Sequence, residues 1–505
     1  MGYQSVASVQ TSAGLIRPNV FRKVIDFANV FKAFIGTNWI ALPFAFRQSG
    51  VVLGSIGLFI IAILTDHCCQ LIIKCKKSAV GKILRKMPKY NNPRISLSEK
   101  LELEAKVEKK MMYGDIGKVA LGKPGLVLVE VSLLITQIMF CVGYFIFIGN
   151  TIQGLFVIKK TDVVNSTLAN TTNTDSKNSS VPSFPLLLLI PVVPLILMAF
   201  IRRVRKLGPV SFISNLALLF AFLAVLGYML TGWTFKLNKI RLFSWSTFPV
   251  FFGQVTSAYE GIGTLIPIES SMAENRHRYP LYLHLALGLL SAILGGFGIT
   301  GYLVYGENVD QIVTSELPQG LLVTVVQILL CLAILFTYPL QLFPVTEIIE
   351  SYLFKEYNRR KEEKYEAMNV AKDSVADSGT EIDSEAGDET IELVPKVNQR
   401  RLIKKKTSWR KNFLRMVLVL ITAGFAILLK DDFAYVSALC GSLGSSMLAF
   451  ILPCIFHIKL ERGSISRLTI AKDIGLILFG VIGGGVGVTV TILEIVRSFS
   501  RPLPN

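Results

Sequence analysis

Residues 34–43 read Phe34-Ile35-Gly36-Thr37-Asn38-Trp39-Ile40-Ala41-Leu42-Pro43, and residues 259–267 read Tyr259-Glu260-Gly261-Ile262-Gly263-Thr264-Leu265-Ile266-Pro267. Each stretch lies within an apolar run long enough to cross a bilayer, yet each carries glycine and polar residues at mid-depth with a proline further along. Hydrocarbon offers no hydrogen bonds, so a break in a spanning helix persists only where protein or a watery cavity satisfies the freed backbone groups. A single break of this kind commonly serves close helix packing. Two breaks, in the first spans of two successive five-span halves, point instead to a secondary transporter built from inverted repeats, with its substrate between them. Half-helix amides around residues 37–39 suit a carboxylate, and freed carbonyls near residues 261–263 suit an ammonium, a pairing that describes an amino acid.

The rest of the chain agrees with a membrane setting. Of its 505 residues 51% are hydrophobic and only 17% charged, against about 25% charged in an ordinary soluble domain, and the mean hydropathy is +0.52. One core cannot absorb that much apolar surface, because single cores stop growing near about 250–300 residues. Eleven segments meet or approach the roughly 20 apolar residues that a spanning helix needs. They cover residues 25–47, 51–73, 125–148, 184–201, 209–232, 249–271, 281–304, 320–350, 413–430, 433–457 and 473–496. The formal charge of +18 is gathered between these runs, which marks loops rather than a nucleic-acid surface. One set of loops holds Lys74, Lys76, Lys77, Arg85 and Lys86, then Arg202, Arg203, Arg205 and Lys206, then Arg276 and Arg278. Arg359, Arg360 and Lys361, Lys404, Lys405 and Lys406, and Lys459, Arg462 and Arg467 continue the series. The opposite loops hold scattered cations such as Lys159, Lys160, Lys236 and Lys430. This bias puts the N-terminus in the cytosol and, after eleven crossings, the C-terminus on the far side.

The expected organisation is a cytosolic arm at 1–24, a transporter domain over 25–497 and an extracytosolic tail at 498–505. Three glycosylation sequons, at Asn165, Asn170 and Asn178, fall in one loop, 149–183, that the charge bias independently places outside. Segments 74–122 and 355–411 read as solvated, unfolded cytosolic loops; the second passes from basic to acidic and back, leaving room for a cytosolic regulatory partner. The run Gly296-Phe297-Gly298-Ile299-Thr300-Gly301 matches a dinucleotide fingerprint but lies inside the seventh span with no preceding strand, so it reads as helix packing. Gly483 and Gly487, and Gly441, Gly444, Ser445 and Ser446, read the same way. Seven cysteines and four histidines form no disulfide framework and no zinc spacing. With no metal cluster, no cofactor motif and no nucleophile–base pair, an enzyme is not expected.

Charge within a membrane is costly, so ionisable residues in spans are functional candidates. His67, in the inner part of the second span, is the natural proton carrier; the alternative is a neutral imidazole bonded to a neighbouring helix. Asp66 points about 100° away from it on a helix. Glu260 is suited to binding a proton, a substrate ammonium or a backbone amide. Lys32 is expected to snorkel to the cytosolic face, and Glu130, Glu269 and Glu347 to sit at the interface.

Several of these stretches resemble the amino acid/auxin permease family, most closely its proton-coupled amino acid transporter branch and the related vacuolar amino acid transporters. The resemblance rests on Lys32-Ala33-Phe34-Ile35-Gly36-Thr37 with Leu42-Pro43-Phe44-Ala45-Phe46, on His67-Cys68, and on Ile135-Thr136-Gln137 with Phe140-Cys141 and Tyr144-Phe145. It continues through Phe251-Phe252-Gly253, Glu260-Gly261-Ile262-Gly263, Phe336-Thr337-Tyr338, Glu347-Ile348-Ile349 and Gly444-Ser445-Ser446. It implies an all-α polytopic membrane protein of eleven transmembrane helices, a leucine-transporter-like five-plus-five inverted repeat with one extra helix. It also implies symport of small neutral amino acids with protons, with His67 in the coupling. Where the family commonly continues Gly-Thr with glycine, this chain has Asn38 and then Trp39, which alters the size and polarity of the pocket.

The expectation is therefore a secondary active transporter whose substrate contacts are Gly36, Thr37, Asn38, Trp39, Tyr259, Glu260, Gly261, Gly263 and Tyr338, with His67 and Glu260 for proton coupling. A sodium-coupled transporter and an amino acid sensor acting through its cytosolic segments are the alternatives. Gly2-Tyr3-Gln4-Ser5-Val6 resembles a tyrosine-type sorting signal and favours a lysosomal, vacuolar or endosomal membrane over the plasma membrane.

Overall fold

Apolar runs that must satisfy their own backbone in lipid have the α-helix as the open-ended solution, and every regular element among the described residues is helical. The computed structural model describes residues 20–168, 182–201, 208–231, 240–259, 261–318, 320–354 and 390–500. In chain order the elements are α1 (Val20–Phe34), a 3-10 turn (Asn38–Ala41), α2 (Leu42–Ser49), α3 (Val51–Lys86), α4 (Leu97–Lys110), α5 (Tyr113–Leu121) and α6 (Lys123–Leu168). Then come α7 (Phe184–Ala199), α8 (Gly208–Thr231), α9 (Phe248–Ala258), α10 (Ile262–Ser271), a 3-10 segment (Ala273–Arg278) and α11 (Tyr279–Tyr305). The chain continues through α12 (Leu321–Leu353), α13 (Thr390–Leu428), α14 (Phe433–Cys440), two π-helical segments (Gly441–Ser445 and Met447–Ile451), α15 (Leu452–Leu460) and α16 (Arg467–Phe499).

Among the described residues eight helices are long and apolar enough to cross a membrane, and α7 is a shorter apolar helix. Large apolar side chains on α7 point outward, Leu189 at 59% and Val193 at 60% exposed, as lipid-facing residues do. The two quoted stretches are interrupted helices: α1 stops at Phe34 and α2 resumes beyond the 3-10 turn, while α9 stops at Ala258 and α10 resumes at Ile262.

The unfolded reading of 74–122 does not hold. The second span continues unbroken to Lys86, and α4 and α5 follow. The reason is local: Ser96 accepts from the Glu99 amide at 3.2 Å while Glu99 accepts from the Ser96 amide at 3.0 Å, a reciprocal cap that starts α4 despite its charge. The expected outer loop 149–183 is helical as far as Leu168, and of the second cytosolic segment residues 390–411 are helical. Asn170, Asn178 and residues 355–389 lie outside the described residues, as does the side chain of Asn165.

The chain divides into two units. The first holds residues up to 132, 229–316 and 437–505; the second holds 133–228 and 317–436. In the first, α11 packs on α1, α2 and α3, α9 packs on α2, α3, α16 and the first π segment, and α15 packs on α3, α5 and α16. Gly50, at φ 79°, makes the corner between α2 and α3; a Cβ there would meet the Leu242 carbonyl oxygen at 2.6 Å. In the second unit α13 and α12 pack on α7. There Arg415, 5% exposed, donates to Glu350 at 2.9 Å and to the Ala199 carbonyl at 2.9 Å.

Candidate functional site

The two breaks adjoin within the first unit. The Asn38 side-chain amide donates to the Ser257 carbonyl at 3.1 Å and to its hydroxyl at 2.5 Å, and that hydroxyl is 2.9 Å from Ser437 Oγ. Asn38 is on the turn that replaces helix in the first span, and Ser257 is in the last turn of α9 before the second break. Gly261 lies against the end of α1, where a Cβ would meet Phe34 at 2.6 Å and the Ala33 carbonyl oxygen at 2.8 Å. Neither the turn beginning after Thr37 nor α10 beginning after Gly261 has a side-chain cap, so the first amides of both are left without a side-chain acceptor.

The walls are aromatic. Trp39 is buried with its ring edge-on to Phe297 at 5.1 Å, and Tyr259 is buried with its hydroxyl donating to Ser291 at 2.7 Å. Thr37 and Asn38 are buried, whereas Gly36 and Gly263 are exposed. One expectation needs correction: the Gly261 carbonyl is not free, since the Thr264 hydroxyl and amide donate to it at 2.9 and 3.1 Å. Glu260 lies outside the described residues. Tyr338 belongs to the second unit, where its hydroxyl is 2.7 Å from Thr422 Oγ1 and its ring packs edge-on to Phe145.

His67 lies half-buried on α3, and its Nε2 is buried with no hydrogen-bond partner. Its electrostatic neighbours are Asp473, His457 and Lys472. Those residues form a second buried feature: His457 Nδ1 on α15 is 2.6 Å from Asp473 Oδ2 on α16, with the side chains 2% and 0% exposed. His457 Nε2 and Asp473 Oδ1 have no hydrogen-bond partner, and the Lys472 ammonium stands 3.9 Å from that oxygen. Asp66 does not partner His67. It pairs with His284 at 2.7 Å and accepts from Gln70 at 3.2 Å.

A third feature corrects the interfacial reading of Glu269. Its carboxylate is 1% exposed, accepts from the fully buried Lys76 ammonium at 2.6 Å and is clasped by Arg276. Arg276 also grips Glu108 on α4, with Nη1 donating to Oε2 at 2.6 Å, and Lys76 donates to Ser270 at 2.6 Å. Nearby, Asn275 donates to Asp26 of α1 at 2.7 Å. Beyond the end of α15, Ser78 donates to Glu461, and that bond holds the Glu461 carboxyl below the usual carboxylate range. Burial pushes the Tyr113 phenol, which donates to the Leu448 carbonyl at 3.1 Å, well above its ordinary value.

Helices that span, two adjoining breaks with uncapped helix starts and buried titratable groups describe a multi-pass membrane transporter. The model of the family described as "Transmembrane amino acid transporter protein" matches residues 24–88 and 95–493, and the chain belongs to that family, one of transporters rather than enzymes. The chain is similar to amino acid transporter AVT3C of Arabidopsis thaliana, 27% identical over 457 residues that cover 90% of this chain and 87% of that one. It is also similar to vacuolar amino acid transporter 4 of Saccharomyces cerevisiae, 26% identical across 90% of this chain and 56% of the yeast protein. The crystal structure of MhsT in complex with L-phenylalanine aligns at 13% identity and a TM-score of 0.44, covering 94% of this chain and 97% of that one.

Proposed function

We propose that this chain is a secondary active transporter of small neutral amino acids, driven by proton symport through alternating access. The observation that carries this reading is the Asn38 amide on Ser257, which ties the first break to the last turn before the second. The substrate carboxylate is held by the uncapped amides after Thr37 and Gly261, its side chain faces Trp39 and Tyr259, and Gly36 and Gly263 leave the approach open. Two buried aromatic walls favour a small side chain.

Eleven crossings follow when the two interrupted helices and α7 join the eight long ones. The five-plus-five repeat is supported by the division into units: spans one and two group with six and seven, and spans three and four with eight and nine. On that topology the N-terminus is cytosolic, the C-terminus is on the far side and the sequons at Asn165, Asn170 and Asn178 face outward. His67 carries the coupled proton, supported by its buried, unpartnered Nε2. A vacuolar or lysosomal membrane is the proposed location, in line with the name of the yeast relative.

The test is uptake of a panel of labelled amino acids into proteoliposomes under an imposed pH gradient or an imposed sodium gradient, with wild type and His67→Ala. Uptake that follows the pH gradient and loses that dependence in the variant is expected. Uptake that follows sodium, or ignores His67, overturns the coupling; no uptake of any amino acid overturns transport.

A further inference from the structure

The cytosolic extension formed by α3, α4 and α5 borders an open cavity of about 690 Å³ whose lining shares no residue with the substrate site. Its lining gathers Lys82, Arg85 and Lys86 from the last turns of α3, Lys110 from the end of α4 and Lys118 from α5. Among the described residues none of these five side chains is in an ion pair. The single carboxylate in the lining, Asp115, is already committed: it accepts from the Met112 amide at 3.0 Å and caps α5. The rest of the lining is aliphatic or thioether, with Met111 4% exposed at the base.

Cations at helix ends have an ordinary explanation, since they complement the dipole and mark the cytosolic side. That explanation accounts for their sign but not for their convergence. Arg85, Lys86, Lys110 and Lys118 are exposed and Lys82 is half-buried, so five like charges from three helices edge one open concavity of ligand size despite their mutual repulsion. Such a field suits a compact polyanion. The lining has no aromatic face on which a base could stack and one committed acceptor, so it fits several phosphates on a small ring better than a nucleotide.

We infer that this cavity binds a multiply phosphorylated polyol of the inositol phosphate type, either free or as the headgroup of a phosphoinositide. Depth along α3 allows both sources. A helix of 36 residues is about 54 Å long, well beyond the roughly 30 Å hydrocarbon core, and Lys82 stands about 12 Å past Lys74 along the axis. That is the level a protruding headgroup reaches, and it is equally open to a soluble ligand. Occupancy has a route inward as well: Lys110 is two residues from Glu108, whose carboxylate grips Arg276, which in turn clasps Glu269 on the half-helix α10.

The test uses the full chain in detergent and in nanodiscs and needs no transport measurement, so it stands apart from the reading of the substrate site. Inositol hexakisphosphate is titrated against wild type, against Lys82→Glu/Lys86→Glu/Lys110→Glu, and against Lys106→Glu/Arg462→Glu/Arg467→Glu, which makes the same charge change outside the cavity. Saturable binding to wild type, weakened about a hundredfold by the first set and less than about threefold by the second, is expected. Where the first set lowers the thermal midpoint, Lys82→Gln/Lys110→Gln replaces it, with binding about tenfold weaker. No saturable binding, or equal weakening by both sets, overturns the proposal. Nanodiscs carrying a phosphatidylinositol bisphosphate separate the sources: tighter binding than the free headgroup assigns the lipid, and weaker binding assigns the soluble ligand. Equal affinity for nanodiscs carrying only phosphatidylserine overturns recognition of the headgroup.

Discussion

Two clusters of buried charge sit in the first unit and are built on opposite terms. In the Lys76, Glu269, Arg276 and Glu108 network both carboxylates are bonded by cations, and the Lys76 ammonium reaches a carboxylate and a hydroxyl. In the His67, His457 and Asp473 cluster one short bond joins the pair, while three polar atoms around it have no hydrogen-bond partner. An unsatisfied buried polar atom costs about 1–3 kcal/mol, so a fold tolerates it where the group has a task. Under the proposal that His67 carries the coupled proton, the contrast separates a charge cluster that holds a shape from one that exchanges a proton.

The largest expected effect breaks the saturated network. Glu269→Gln leaves Lys76 buried opposite a neutral amide, and loss of one partner of a buried pair costs about 3–5 kcal/mol. Thermal denaturation in detergent reads it, and Lys76→Met/Glu269→Leu should recover most of the loss. A single variant that melts like wild type would show that the network is wet. Next in size, Asn38→Ala removes two bonds between the breaks, worth about 1–3 kcal/mol together; uptake should fall at least about tenfold while the protein still folds. If uptake is unchanged, the breaks do not form the site.

Asp473→Asn sharpens the other side of the comparison. It preserves a hydrogen-bond acceptor for His457, so the melting temperature should move less than in Glu269→Gln. The pH profile of uptake should shift by about one unit. A large stability loss with an unmoved profile would make the pair structural. The smallest effect belongs to Glu461→Gln. Because its carboxyl titrates below the ordinary range when folded, the stability it contributes is present above the unfolded pKa and is lost as pH falls through the folded one. The variant and wild type should therefore differ in melting temperature near neutrality and converge in acid.

The breaks were legible because glycine and proline interrupt an apolar run in a way the eye can count. Their adjacency was not, since Asn38 and Ser257 are 219 residues apart and only tertiary packing brings them together. Segment 74–122 was misread because its charge density outweighed a local signature, Ser96 followed by Glu99, that starts a helix. His457, Asp473 and Glu269 fall at the ends of apolar runs, where depth along the chain does not report depth in the protein. Each is covered by helices that continue past the expected span: α3 runs to Lys86, and α16 begins before Asp473. An ionisable residue closing one span and another opening the next, His457 on the tenth and Asp473 on the eleventh, is the signal that would have found the pair.

Gly441 of the first π segment lies on the backbone of α9, where a Cβ would meet the Gly253 carbonyl oxygen, and a Cβ on Gly253 would in turn meet the Ala438 carbonyl oxygen and the Ser442 hydroxyl. Interlocked side chains act as cogs, and moving one helix past another then means lifting every tooth. At this seam the side chain facing Gly253 is the short Ser442 hydroxyl, and the segment facing α9 is π-helical. The half-helix that ends at the second break therefore rests on backbone rather than on interlocked side chains, the one kind of contact that a slide along the helix axis does not have to unmesh.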